Sequence, residues 1–326
     1  MTVNRIVSFL PSATELLYEL GVQDNLYGVT HECQFPEDAR QKPCVIRSVI
    51  ESEKLTSNEI NQQTCQLLTE KKDIFILDEE AIKTALPDLI ISQETCEVCA
   101  AYNSQVNKAL QILNKKPMVY SMNPHNLEEI IESVTELGKI LQKSYRAKEI
   151  TDNLRNRIQN VTAIKKRNPR PKVLAIEWLE PLFTAGHWVP ELVEIAGGKN
   201  MISVKGEHSR RLNINDITRT DPDIVILMPC GFSTTRTVLE YNTILKENKR
   251  WNELRAVKKN EVYCVDAKSF FSKPSIRTIT GMEIITKIIQ PENSKNLLVP
   301  KDSFVQMNCE SIYAVSNLVM QCTDNL

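Results

Sequence analysis

Residues Arg5 to Gly21 read RIVSFLPSATELLYELG. Ile6 to Leu10 suit a buried strand, Pro11 ends it, and Leu16, Leu17 and Leu20 recur at helical spacing. Ser12 and Glu15 stand three apart, the spacing at which serine accepts from the N3 amide while glutamate reaches back to the cap amide. Gly21 suits the left-handed residue that closes such a helix. Strand, tight turn and capped helix together open a parallel α/β sheet with helices on its faces.

The same alternation continues outward. Leu26–Thr30, Ile74–Leu77, Leu89–Ser92 and Met118–Ser121 read as further strands of one lobe. Asn126 with Glu129 repeats the cap before Ile130, Ile131, Val134, Leu137 and Leu141. After a break at Gln142-Lys143-Ser144, helical spacing resumes through Ala147, Ile150, Leu154, Ile158 and Val161. At 1.5 Å per residue this second helix is roughly 36 Å long, a strut towards a second lobe. There Val173–Glu177, Ile224–Met228 and Val262–Val265 read as strands, with helices over Pro190–Ala196 and Ile276–Ile289. The fold class expected is two parallel-sheet α/β lobes joined by a single long rigid helix. Its parts are an amino-terminal lobe (1–142), a linking helix (143–168), a carboxy-terminal lobe (169–291) and a tail (292–326) without clear periodicity.

Composition agrees. The 326 residues suit about two domains at roughly 150 each. With 42% hydrophobic and 25% charged residues the chain is of globular, not disordered, type. Lys plus Arg (40) nearly equals Asp plus Glu (41), so no global basic footprint for nucleic acid exists. No apolar run reaches the ~18 residues of a membrane span. The opening lacks the basic, apolar and small-residue regions of a secretion signal, so the expected compartment is cytoplasmic. There the nine cysteines are expected to be mostly thiols, and their odd number forbids full pairing. A phosphate-cradling glycine loop and a dinucleotide fingerprint are both missing, and no nucleophile stands out beside a base.

In parallel α/β sheets ligands bind beyond the carboxyl ends of the strands, and the unusual residues of this chain gather there. They include Thr30-His31-Glu32-Cys33, Cys96-Glu97-Val98-Cys99, the run from Glu177 to Trp188, Pro229-Cys230-Gly231-Phe232, and Ser269-Phe270-Phe271. The segments RIVSFLPSATELLYELG, GVTHEC, PDLIISQETCEVC, EWLEPLFTAGHWVPELVEIAGG and VILMPCGF resemble the cobalamin-binding branch of ABC-transporter substrate-binding proteins, over roughly Arg5 to Glu292. The resemblance implies two lobes on a rigid helix, little hinge closure, and non-catalytic binding of cobalamin or another corrinoid between the lobes. An ABC permease is the implied partner if the chain is exported; otherwise it is an intracellular carrier.

Candidate ligand-binding residues are Ser12, Thr14, Trp178, Phe183, His187, Trp188, Phe232, Phe270 and Phe271. The aromatic rings suit a broad, mostly apolar macrocycle, whose buried periphery contributes about 25 cal/mol per Å² before ordering costs. His187 stands either to meet the cobalt axially or to hydrogen-bond an amide of the ligand. His31, Cys33, Cys96 and Cys99 form a possible metal set of one histidine and three cysteines, with Cys230 as a further thiol; the alternative is a structural or redox-sensitive group. Arg210, Arg211 and Arg277 offer anchors for a phosphate or carboxylate, or a solvated surface. The rival class is a thiol-dependent corrinoid-processing enzyme, or a metal, iron–sulfur or heme protein.

Overall fold

Short segments rich in Val and Ile form the strands of two sheets in the computed structural model, which describes residues 3–93 and 97–308, the side chains of 97–103 excepted. The first sheet contains β1 (Ile6–Ser8), β2 (Leu26–Thr30), β3 (Cys44–Ser48), β4 (Phe75–Leu77), β5 (Leu89–Ser92) and β6 (Met118–Ser121), in the order β4-β3-β2-β1-β5-β6. All its pairings are parallel except the edge pair β3–β4. The central strands β1 and β5 are buried at every position, as continuous apolar runs covered on both faces must be.

The second sheet contains β7 (Lys172–Leu179), β8 (Leu182–Thr184), β9 (Lys199–Asn200), β10 (Ile224–Leu227), β11 (Val262–Val265) and β12 (Phe304–Gln306). Its order is β12-β11-β10-β7-β8, with β9 paired to β7. Parallel β7, β10 and β11 form the centre; β8 and β12 add antiparallel edges. The two-sheet α/β architecture is the one expected.

The chain divides into two compact units. Unit one holds the residues up to Leu55, Glu59–Asn156 and Lys273–Ile276; unit two holds Thr56–Asn58, Arg157–Ser272 and the described residues from Arg277 on. The boundary falls inside the helix Ser144–Ala163, which is 20 residues long, close to 30 Å. Each unit has its own apolar core: Val7, Phe9, Ile46 and Ile90 among others in unit one, Leu174, Val225, Trp251 and Val262 in unit two.

Three local expectations change. The first helix starts two residues early, at Pro11, with Leu10 as an N-cap that makes no side-chain bond, so Ser12 and Glu15 lie within the first turns and form no capping box. Proline at the first helical position, with φ already helical and no amide to satisfy, displaces the serine. The second cap holds in part: Asn126 accepts from the Glu129 amide, while the Glu129 carboxylate takes the His125 amide instead. Strand β3 and the tail strand β12 were not expected; β12 pairs Phe304, Val305 and Gln306 with β11.

Candidate functional site

In unit one, the exits of β1 and β2 are joined by a chain of hydroxyls ending on a thiol. Ser8 Oγ donates to the Leu10 carbonyl (2.8 Å), and Thr14 Oγ1 donates to Ser8 Oγ (2.9 Å). Thr14 lies 3.0 Å from Cys33 Sγ. Because the single Thr14 proton is spent on Ser8, the Cys33 thiol is the donor in that contact. Thr30 Oγ1 stands on the other side of the sulfur at 3.4 Å. Ser8, Thr14, Thr30 and Cys33 are all buried, and burial pushes the Cys33 thiol above its ordinary range despite these hydroxyls. A thiol held protonated is a weak nucleophile, and a metal binding it would have to displace that proton. Beside it, buried Glu15 lies 3.6 Å from Lys273, which belongs to the same unit. Ser12 is buried too, and its Oγ has no hydrogen-bond partner among the described residues.

His31 is half-buried, with Nδ1 3.4 Å from the Ile46 carbonyl and its ring 6.3 Å from Phe75. With Cys33 and Cys44 it lines a pocket of about 220 Å³ that also receives Arg40 and Lys42. Of the expected metal set, Cys96 and the side chain of Cys99 lie outside the described residues. Among the described residues no group of three or more His, Cys, Asp or Glu is arranged to hold a metal.

In unit two the polar centre is Glu177, near the carboxyl end of β7. Its carboxylate accepts from the Gly186 amide (3.2 Å) and from Ser209, and its backbone carbonyl accepts from the Cys230 amide (3.0 Å). Burial dominates these bonds and raises the Glu177 carboxyl above the usual range. Gly186 admits no side chain: a Cβ there would stand 2.5–2.8 Å from backbone atoms of Glu207, His208 and Ser209. That close approach sets two strands of loop against each other. His187 donates its amide to the Glu207 carbonyl (2.7 Å) and accepts from the Gly206 amide (2.9 Å), with its backbone left-handed at φ 53°. A histidine in this region is held there by its surroundings, at an energetic cost. The result brings the half-buried His187 ring and the exposed His208 ring to 5.1 Å, edge to face. His208 was missed in the sequence, because a lone histidine in a non-periodic loop carries no signal until Gly186 folds the loop onto it.

The aromatic candidates divide by exposure. Trp178 and Phe183, on the β7–β8 hairpin, are half-buried. The Trp178 indole donates to the Ser57 (3.2 Å) and Glu180 (3.1 Å) carbonyls. Trp188 is buried beside His187, with its indole donating to the Phe271 carbonyl (3.2 Å). Phe232 is only 1% exposed, set between the Trp178 ring at 5.6 Å and the Arg236 guanidinium at 3.6 Å. Phe270 and Phe271 are buried, Phe271 against Gly281 and Phe270 beneath Arg277. Trp188, Phe232, Phe270 and Phe271 are thus buried against protein, whereas Trp178 and Phe183 keep part of their surface exposed. Cys230 is exposed at the exit of β10.

Comparison with known proteins agrees with the architecture. The periplasmic binding protein family profile matches residues 6–269. The chain is 28% identical over 195 residues to the high-affinity heme uptake system protein IsdE of Staphylococcus aureus, a match covering 59% of this chain and 64% of that protein, so it spans less than two thirds of that relative. Structures with the same fold include S. aureus IsdE complexed with heme (TM-score 0.65, 22% identity, 88% of this chain and 98% of that one). Another is the periplasmic vitamin B12 binding protein BtuF of Vibrio cholerae (TM-score 0.64, 20% identity, 89% and 97%). Proteins of this family bind substrates and do not transform them, which removes the thiol-dependent enzyme from consideration. The chain belongs to the periplasmic binding protein family.

Proposed function

We propose that the protein binds a tetrapyrrole, a corrinoid such as cobalamin, and delivers it to an ABC permease. The observation that carries this reading is the His187–His208 pair on a loop clamped near the carboxyl end of β7. Ligands of parallel sheets lie beyond that end, and imidazole is a ligand suited to the metal at the centre of a corrinoid or a heme. Trp178 and Phe183 add half-buried apolar surface on the neighbouring hairpin, suited to the rim of a macrocycle. The clamp matters energetically: a loop already fixed by backbone bonds loses little freedom on binding. Heme is the second reading, supported by the naming of IsdE as a heme uptake protein and by histidine's service as an axial ligand of heme iron.

Visible absorption titrations of the whole chain with cyanocobalamin, aquocobalamin and hemin test both readings. The expected result is a saturable band shift with a corrinoid, weakened at least tenfold (about 1.4 kcal/mol) in His187→Ala. A shift with hemin alone selects the second reading. Unchanged affinity in both His187→Ala and His208→Ala contradicts the assignment of the loop.

A further inference from the structure

On the flank of unit two, a pocket of about 280 Å³ is lined by Arg210, Arg211 and Arg219, with Asp216, Leu212 and Ile202 around them. We infer that this pocket is a second binding site, taking a small oxyanion of two or more charges, a phosphate or a polycarboxylate. This goes beyond the tetrapyrrole reading and does not depend on it.

The charges do not balance within the pocket. Three guanidiniums meet one carboxylate, and that carboxylate is already engaged: Asp216 accepts the Asn213 amide at 3.0 Å and pairs with Arg219 at 3.2 Å. The Arg210 guanidinium donates to the Ile202 carbonyl, a neutral acceptor that leaves its charge uncompensated. Arg211 makes no side-chain hydrogen bond or ion pair among the described residues. Guanidinium forks match the oxygens of phosphate and carboxylate in pairs, so an oxyanion satisfies donors that the protein does not. An excess of positive charge around a hollow concentrates the field there.

The backbone presents these side chains in a fixed way. Arg211 forms an antiparallel bridge with Phe183, and the Leu212 amide donates to the Leu182 carbonyl (2.7 Å), so residues 210–212 run as an added edge beside β8. The helix Ile214–Thr220 then returns towards the amino end of β7, where Lys172 Nζ donates to the Thr220 carbonyl (3.3 Å). Ile202 is fixed near the same end, since the Met201 amide donates to the Val173 carbonyl (3.0 Å). Two arginines are thus held by their contacts before any anion arrives, which lowers the ordering cost of binding.

Calorimetric titration of the whole chain at low salt, with sodium phosphate, with citrate and with acetate as the monoanion control, tests the site. Saturable binding of phosphate or citrate but not acetate is expected, weakened at least fivefold in Arg211→Gln and abolished in Arg211→Glu. Preference between phosphate and citrate separates the two sources of the anion. Circular dichroism melts confirm that both variants remain folded, as their exposed position leads one to expect. No heat with either polyanion, or affinity unchanged in Arg211→Glu, overturns the proposal. Equal loss of tetrapyrrole binding in Arg211→Gln also overturns it as a separate site.

Discussion

At the scale of single residues, the chemistry is set by what burial does to protons. Cys33 looked like a metal ligand in the sequence, and the structure makes it the donor end of a hydroxyl chain through Thr14 to Ser8. Its position at a strand exit was legible; its partners were not, because Ser8, Thr14 and Cys33 meet only once β1 and β2 pair. Glu177 shows the same principle with a carboxyl. Its folded pKa lies above the ordinary value of 4.5, so the folded chain holds the proton more tightly than the unfolded one. The stabilising contribution is therefore complete below about pH 4.5 and is lost as pH rises through the folded value. Glu177→Gln keeps an acceptor for the Gly186 amide and removes the titration. Thermal melts across the acid-to-neutral range are expected to show the variant gaining on wild type as pH rises. A constant difference at every pH contradicts the role given to burial.

Among the elements, the central strands were readable because parallel strands covered on both faces are continuous runs of Val, Ile and Leu. The edges were not. Strand β3 carries the exposed Arg47 and half-buried ends, and β12 sits in a tail with no periodicity, its pairing set by β11 and not by its own pattern. Nor did spacing distinguish the aromatics by exposure: Trp188, Phe232, Phe270 and Phe271 are buried, while Trp178 and Phe183 are half-buried. The long helix Ser144–Ala163 was legible from its periodicity, and Arg157 shows how its second part is fastened in unit two. Its guanidinium grips the buried Glu283 carboxylate at 2.9 and 2.6 Å and reaches Thr280 at 2.8 Å. Arg157→Met leaves that carboxylate buried and unpaired, a loss of about 3 kcal/mol, the lower end of the usual range because the arginine is partly solvated. Urea unfolding measures it, and a loss near zero contradicts the pairing's importance.

For the whole molecule, the order of motifs along the chain carried more information than any one of them. The capping box at Ser12 was misread and the thiol set found no support among the described residues, yet five segments in sequence still pointed to a two-unit binding protein. What pattern could not supply was the loop geometry around Gly186, where backbone atoms approach too closely for any side chain and two imidazoles meet. That clamp is the basis for expecting a metal-centred macrocycle as cargo. Equilibrium dialysis of the whole chain against cobalamin, and separately against hemin, tests this most directly. Retention of one equivalent of tetrapyrrole per chain by wild type, lost when His187 and His208 are both replaced by alanine, is the expected result; no retention of either compound by wild type contradicts it.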